Sequence, residues 1–386
     1  MAIDPLPSDL DHALLAGRVW HTGQQGPCVV AVREGQTFDI TDHAPTMADL
    51  LDRPDLAAFL RQCEGTPLGS AREWMARSQD PARQERLLAP CDLQPIKACG
   101  VTFAVSLLER VIEEQSGGDP RRAEAVRADL QRTIGGDLRS VAPGSEGASR
   151  LKEELMRRGV WSQYLEVGIG PDAEVFTKAA PMSAIGHGAV LGLLPDSTWN
   201  NPEPEIVLAV NSRLEIAGAT LGNDVNLRDV EGRSALLLGR AKDNNGSCAI
   251  GPFIRVFDER FTLDTVRACR VQLRIEGAQD GFELDGVSDM REISRDPADL
   301  VRQAAGAHHQ YPDGFMLFLG TMFSPVKDRD GPGLGFTHKP GDRVTIAAPP
   351  LGALVNTVGD CTRIPPWTFG IRALYRSLAL RQSPAS

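Results

Sequence analysis

Glu203 and Glu205 stand two residues apart in the run Pro202-Glu-Pro-Glu-Ile-Val-Leu-Ala-Val210; Asp224 lies nineteen positions beyond Glu205, and Lys242 eighteen beyond Asp224. Residues two apart on a strand share a face, so the two glutamates aim their carboxylates together. Residues 206–210 are apolar and partly β-branched, as in a buried strand; 211–214 read as a turn and 215–221 as the returning strand. A hairpin centred near Ser212 and Arg213 pairs residues whose numbers total about 425–427. That register brings Asp224 opposite the 201–203 end, within reach of Glu203. Three carboxylates held together repel one another and drive at least one pKa upward. A hard divalent cation removes the conflict, and an all-oxygen ligand set favours magnesium, manganese or calcium over zinc. The competing reading leaves Glu203 and Glu205 in water on an edge strand that Pro204 protects; Asp224 and Lys242 have no role in it.

The 386 residues suffice for a large domain with a small companion. Hydrophobic content of 42% and charged content of 24% are those of a globular protein. A formal charge of −10 argues against nucleic acid or an anionic membrane as the main partner, and an anionic substrate would need local cations or a metal to overcome that field. The first ten residues carry Asp4 and Asp9 and lack the basic and apolar regions of a secretory signal, and no apolar run is long enough to span a bilayer. The seven cysteines form no Cys-x-x-Cys pair and read as reduced, buried thiols of a cytoplasmic protein; Cys248, in an apolar run, reads as packing rather than nucleophile. There is no zinc spacing and no phosphate-cradling glycine loop, and the histidines at 12, 21, 43, 187, 308 and 309 lack a partner pattern.

The elements that must position these residues follow from periodicity. Residues 1–90 predict a small α+β N-terminal domain, with strands near 17–20, 28–32 and 37–40 and helices at 46–51 and 55–60, the latter capped by Asp55. Residues 91–386 predict the catalytic domain. In it a strand from 95 runs into a helix at 105–115 that carries Ser106 and Glu109 on one face. Helices at 120–133 and 145–159 make 116–160 a charged, amphipathic excursion, suited to a lid or a subunit interface. A strand at 174–178 ends in Lys178, and from 161 onward strands and loops dominate, with a turn at 285–290, a helix at 297–306, buried strands at 315–319, 343–347 and 351–358, and a closing helix within 367–381.

The ordered segments Pro202-Glu-Pro-Glu, Gly222-Asn-Asp-Val, Lys242, Gly251-Pro252, Leu319-Gly-Thr321 and Gly341-Asp-Arg-Val-Thr-Ile346 resemble the fumarylacetoacetate hydrolase superfamily over roughly residues 95–358. The resemblance implies an α+β chain with a β-rich mixed sandwich or roll as catalytic domain, assembled as a homodimer or homotetramer. It implies metal ligation by Glu203, Glu205 and Asp224, in agreement with the hairpin, a catalytic role for Lys242, and substrate contacts from Thr321 and Lys178. Members that cleave or decarboxylate carry a His-x-x-Glu pair. Here Ser106 stands in the histidine's place, with Glu109 kept, so the usual activation of water is missing. The pattern is most similar to the superfamily's dehydratases of 2-keto-3-deoxy-pentonates (D-arabinonate or D-xylonate type), which form 2,5-dioxopentanoate. The alternative on the same scaffold is a carbon–carbon hydrolase or decarboxylase of an oxo acid. For dehydration, Lys242 or Glu109 would remove a C3 proton and Glu109 would protonate the departing C4 hydroxyl. Ser106, Lys178 and Thr321 would bind the 2-keto acid.

Overall fold

A computed structural model describes residues 4–134, 141–157, 159, 161–321, 325 and 327–382. Its backbone is a large sheet, a smaller sheet facing it, and a helical group at one end. The large sheet runs, in spatial order, Thr66–Ser70, Gln36–Asp39, Gly26–Arg33, Leu15–His21, Cys248–Val256, Ile216–Asp224, Pro204–Val210, Phe315–Phe318, Ile96–Gly100 and Glu174–Ala179; Arg86–Leu88 adds an eleventh strand beside Leu15–His21. The five-stranded sheet runs Glu283–Asp289, Arg270–Glu276, Arg343–Ala348, Gly352–Asp360 and Val190–Leu193. Only Phe315–Phe318 with Ile96–Gly100 and Gly352–Asp360 with Val190–Leu193 pair in parallel among these neighbours. The N-terminal strands are continuous with the later ones, because Leu15 and Ala16 pair with Arg255 and Ile254.

The main core lies between the two sheets. Ile206 and Leu208 point into it by strand alternation, as do Phe315, Leu317 and Leu319. Leu221 joins them from the large sheet, and Leu273, Ile346 and Leu354 from the small one. A second core, with Leu14, Val29, Ile40, Leu50, Val207 and Phe318, fills the opposite face of the large sheet under the short helices Met47–Leu51 and Leu56–Gln62. The helices Ala104–Ser116, Pro120–Ile134, Glu146–Arg157 and Gln163–Ile169 share a core of their own, in which Leu107, Val111, Ala148, Leu155 and Leu165 meet Trp199 of the loop before Glu203.

Several expected boundaries shift for local reasons. Residues 163–169 form a helix where strands and loops are expected, because the Ser162 hydroxyl accepts from the Tyr164 N–H and caps it. Residues 283–289 form an edge strand rather than a turn at 285–290, paired along its length with Arg270–Glu276. Asp55 makes no capping bond to its helix and pairs with Arg53 at 3.0 Å. The seven cysteines are all free thiols, six of them buried.

Candidate functional site

The hairpin forms in the expected register: Glu205 faces Gly222, Pro204 faces Asn223, and the Asp224 N–H donates to the Glu203 carbonyl at 3.0 Å. Oxygens of Glu203, Glu205 and Asp224 lie within 4.8 Å of one another, and all three side chains are buried. Lys242, from the short helix Leu238–Lys242, places Nζ 2.5 Å from Glu203 Oε2 and 3.0 Å from Asp224 Oδ2. Lys178, fully buried on the strand Glu174–Ala179, lies 2.8 Å from Asp224 Oδ1 and donates to the Lys242 carbonyl. Glu205 accepts the Gly320 N–H at 2.7 Å, and Thr321 Oγ1 is 3.4 Å from its other oxygen. Gly320 has φ +104, and a Cβ there would stand 1.9 Å from Thr102 Oγ1, so only glycine turns this N–H onto the carboxylate.

Burial, reinforced by Asp224 and Glu203, pushes the Glu205 carboxyl well above the usual range. Burial acts the same way on Asp224, but Lys178 and Lys242 outweigh it and hold that carboxyl low. For Lys242, burial disfavours the ammonium, and Asp224, Glu203 and Glu231 overcome this and raise its pKa.

Beyond this centre lies a layer of buried ion pairs. Arg110 bonds Glu203 at 2.8 Å, Glu113 at 2.8 Å and Glu231 at 2.5 Å. Arg228 bonds Glu113 at 2.6 Å and Glu109 at 3.0 Å, while its guanidinium lies 4.2 Å over the Trp199 ring. Glu109, on the helix Ala104–Ser116, is also held by Arg127 through both of its oxygens. It is therefore buried and connected to the three carboxylates through Arg228, Glu113 and Arg110, rather than touching them. The side chain of Ser106 lies outside the described residues.

The residues present suit a divalent cation. Six buried carboxylates (Glu109, Glu113, Glu203, Glu205, Asp224, Glu231) face four buried cations (Arg110, Lys178, Arg228, Lys242), an excess of two formal negative charges. The three clustered oxygen donors are hard ligands of the kind magnesium takes.

Sequence reasoning missed Arg110, Glu231 and Glu174. Burial pushes Glu231 up to about 7. Glu174 shares a strand face with Phe176 and Lys178 by two-residue alternation, and the Phe176 ring centroid lies 5.8 Å from Lys242 Nζ. Its carboxylate occupies the space over Gly100, where a Cβ would come within 1.8 Å of Oε2. Burial raises its pKa, with Arg110 and Lys242 opposing and Glu203 and Asp224 adding to the rise. The only sequence signal for Glu174 was its alternation with Lys178.

The family profile described as the fumarylacetoacetate hydrolase C-terminal domain matches residues 167–359, half of the chain. A 2-dehydro-3-deoxy-D-arabinonate dehydratase of Saccharolobus solfataricus is 33% identical over 192 residues, which cover 48% of this chain and 58% of that protein. A probable 2-keto-3-deoxyxylonate dehydratase of Haloferax volcanii is 25% identical over 331 residues, covering 86% of this chain and 94% of that protein. Among solved structures, 2-keto-3-deoxy-D-arabinonate dehydratase complexed with magnesium and 2,5-dioxopentanoate has the same fold, with a TM-score of 0.63 at 20% identity over 90% of this chain and 99% of that one. With the carboxylate hairpin and the two facing sheets in place, the chain belongs to the fumarylacetoacetate hydrolase family.

Proposed function

We propose that this chain is a magnesium-dependent dehydratase that converts a 2-keto-3-deoxy-pentonate, of the D-arabinonate or D-xylonate type, to 2,5-dioxopentanoate. The observation that carries the proposal is the buried trio of carboxylates with two lysines set against it. The Saccharolobus and Haloferax relatives supply the substrate class.

A dication held by Glu203, Glu205 and Asp224 supplies electrophilic stabilisation for the negative charge that grows on a 2-keto acid as C3 loses a proton. Lys242 is assigned that proton because a dication on Glu203 and Asp224 would draw off the two carboxylates that hold its Nζ as an ammonium and so free it to act as base. Glu174 is assigned the proton given to the departing C4 hydroxyl, because its half-buried carboxyl shares a strand face with Lys178 and has its pKa raised by burial. Glu109, with its oxygens held by guanidinium groups, positions the layer around Arg228 instead. Lys178 orients Asp224, and Thr321 and Ser106 bind carboxylate or hydroxyl groups of the substrate. The C3–H and C4–O bonds break, a C3–C4 double bond forms, water departs, and the 5-hydroxy enone tautomerises to the C5 aldehyde, so no redox partner is needed.

The free thiols support a reducing, cytoplasmic setting. The exposed Trp367, Ile371, Tyr375 and Leu380 near the C-terminal end support assembly as a homodimer or homotetramer. No helix among the described residues is long and apolar enough to cross a membrane.

Proton NMR of the protein with magnesium and each 2-keto-3-deoxy-pentonate stereoisomer tests the proposal. An aldehyde that retains all five carbons, absent with chelator, is expected. Cleavage of an acylpyruvate in its place would move the chain to the hydrolase side of the family.

A further inference from the structure

The metal hairpin does not stop at its ligands. Beyond Glu203 and Asp224 the ladder continues in the same register, with Asn201 opposite Asn226 and Asn200 opposite Leu227. Alternation puts Asn201 on the face of Glu203 and Asn226 on the face of Asp224. The intervening Val225 and Leu227 pack into the main core on the other side. Asn201 and Asn226 are each about 1% exposed. Yet Asn226 Oδ1 and Nδ2 and Asn201 Oδ1 have no hydrogen-bond partner among the described residues, while Asn201 Nδ2 donates to the Pro202 carbonyl at 2.9 Å. Buried amides are nearly always paired, so an unpaired one beside a reaction centre calls for a ligand.

The free atoms say which kind. A carboxylate would need donors alone and a cation acceptors alone, whereas a hydroxyl both donates and accepts, as a free amide does. One strand step of two residues, about 6.7 Å, separates each asparagine from its carboxylate, the length scale of a five-carbon acid. We infer that Asn226, assisted by Asn201, binds the C5 hydroxyl of the sugar acid and makes the site selective for substrates that carry it. The inference rests on the dehydratase reading above. The C4 hydroxyl leaves and needs an acid, which an amide is not; the C5 hydroxyl stays through loss of water and becomes the aldehyde oxygen.

The test compares kcat/KM for a 2-keto-3-deoxy-pentonate with that for 4-hydroxy-2-oxopentanoate, which lacks only the C5 hydroxyl, in wild type and in Asn226→Leu and Asn226→Ser. Magnesium affinity is measured alongside by calorimetry. Losing one paired hydroxyl should lower pentonate kcat/KM by roughly tenfold to a hundredfold, through KM, and leave the analogue within about twofold. The thermal midpoint of Asn226→Leu should hold or rise, because the amide has no protein partner to lose; Asn226→Ser covers the case in which leucine does not fit. Equal losses on both substrates, or a fall in magnesium affinity, would show that the amide serves the cation's water and would overturn the inference. An unchanged substrate ratio in an active protein overturns it as well. A wild type inactive on every pentonate would instead overturn the dehydratase reading, and this inference with it.

Discussion

Glu205 sits where its own charge is least welcome, beside two other carboxylates and with the Gly320 N–H as its closest donor. Glu205→Gln should therefore stabilise the metal-free protein while removing catalysis: a thermal midpoint in chelator higher by about 2–4 °C, and kcat with magnesium lower by at least ~10²-fold. Differential scanning fluorimetry and the NMR assay read the two effects separately. Glu174→Gln should lower kcat by roughly 10²–10⁴-fold with little change in KM, as expected for a lost acid. Glu109→Gln should act mainly on stability, since it unpairs Arg127 and Arg228. Glu203, Glu205 and Asp224 were legible in the sequence because a two-residue spacing and a hairpin register are local facts. Glu174 and Arg110 were not, because their roles depend on strands and helices brought beside the hairpin from far along the chain.

At the scale of elements, the helical group is fastened to the hairpin by charge at Arg110, and Trp199 of the loop before Glu203 packs into its core while carrying the Arg228 guanidinium over its ring. Arg110→Met leaves Glu113, Glu203 and Glu231 facing one another and should cost about 3–5 kcal/mol in urea unfolding. Arg295 does a different job. It donates to the carbonyls of Val167, Gly170, Pro171 and Asp172, satisfying the end of the helix Gln163–Ile169. Arg295→Met should cost about 1–3 kcal/mol and speed hydrogen exchange over 163–172. That helix was hidden in the sequence because Tyr-Leu-Glu-Val-Gly-Ile has the composition of a strand, and only the Ser162 cap and burial against Leu107 decide otherwise. The edge strand Glu283–Asp289 was hidden for the opposite reason: its aspartates and glycine read as a turn until a neighbouring strand supplies a ladder.

At the scale of the molecule, His187 ties the small sheet to the end of the N-terminal helix Ala71–Ser78. Its Nδ1 lies 3.1 Å from the Ala353 carbonyl, its Nε2 lies 3.2 Å from Gln79 Nε2, and Gln79 in turn accepts from Arg343. Burial lowers its pKa to about 4, with the bond to Ala353 opposing and Arg343 adding to the fall. The fold therefore binds the neutral ring, and the unfolded chain takes up the proton first. Stability is complete above about pH 6.5 and declines as pH falls from there towards 4, by up to ~3 kcal/mol. Unfolding free energies measured across that window should show the slope, and His187→Gln should flatten it.

The parallel neighbours Ile96–Gly100 and Phe315–Phe318 carry a consequence for biosynthesis. Ile96 pairs with Met316, so a strand made early waits for roughly 220 more residues before its partner leaves the ribosome. At ~5–20 residues per second that is roughly 10–45 s during which an apolar strand has one unmatched edge. The first half of the hairpin, Pro204–Val210, waits for the same late strand on its outer side. Yield in a cell should accordingly follow growth temperature and chaperone supply, with slower, cooler expression giving more assembled protein, while the finished molecule keeps both of these edges covered.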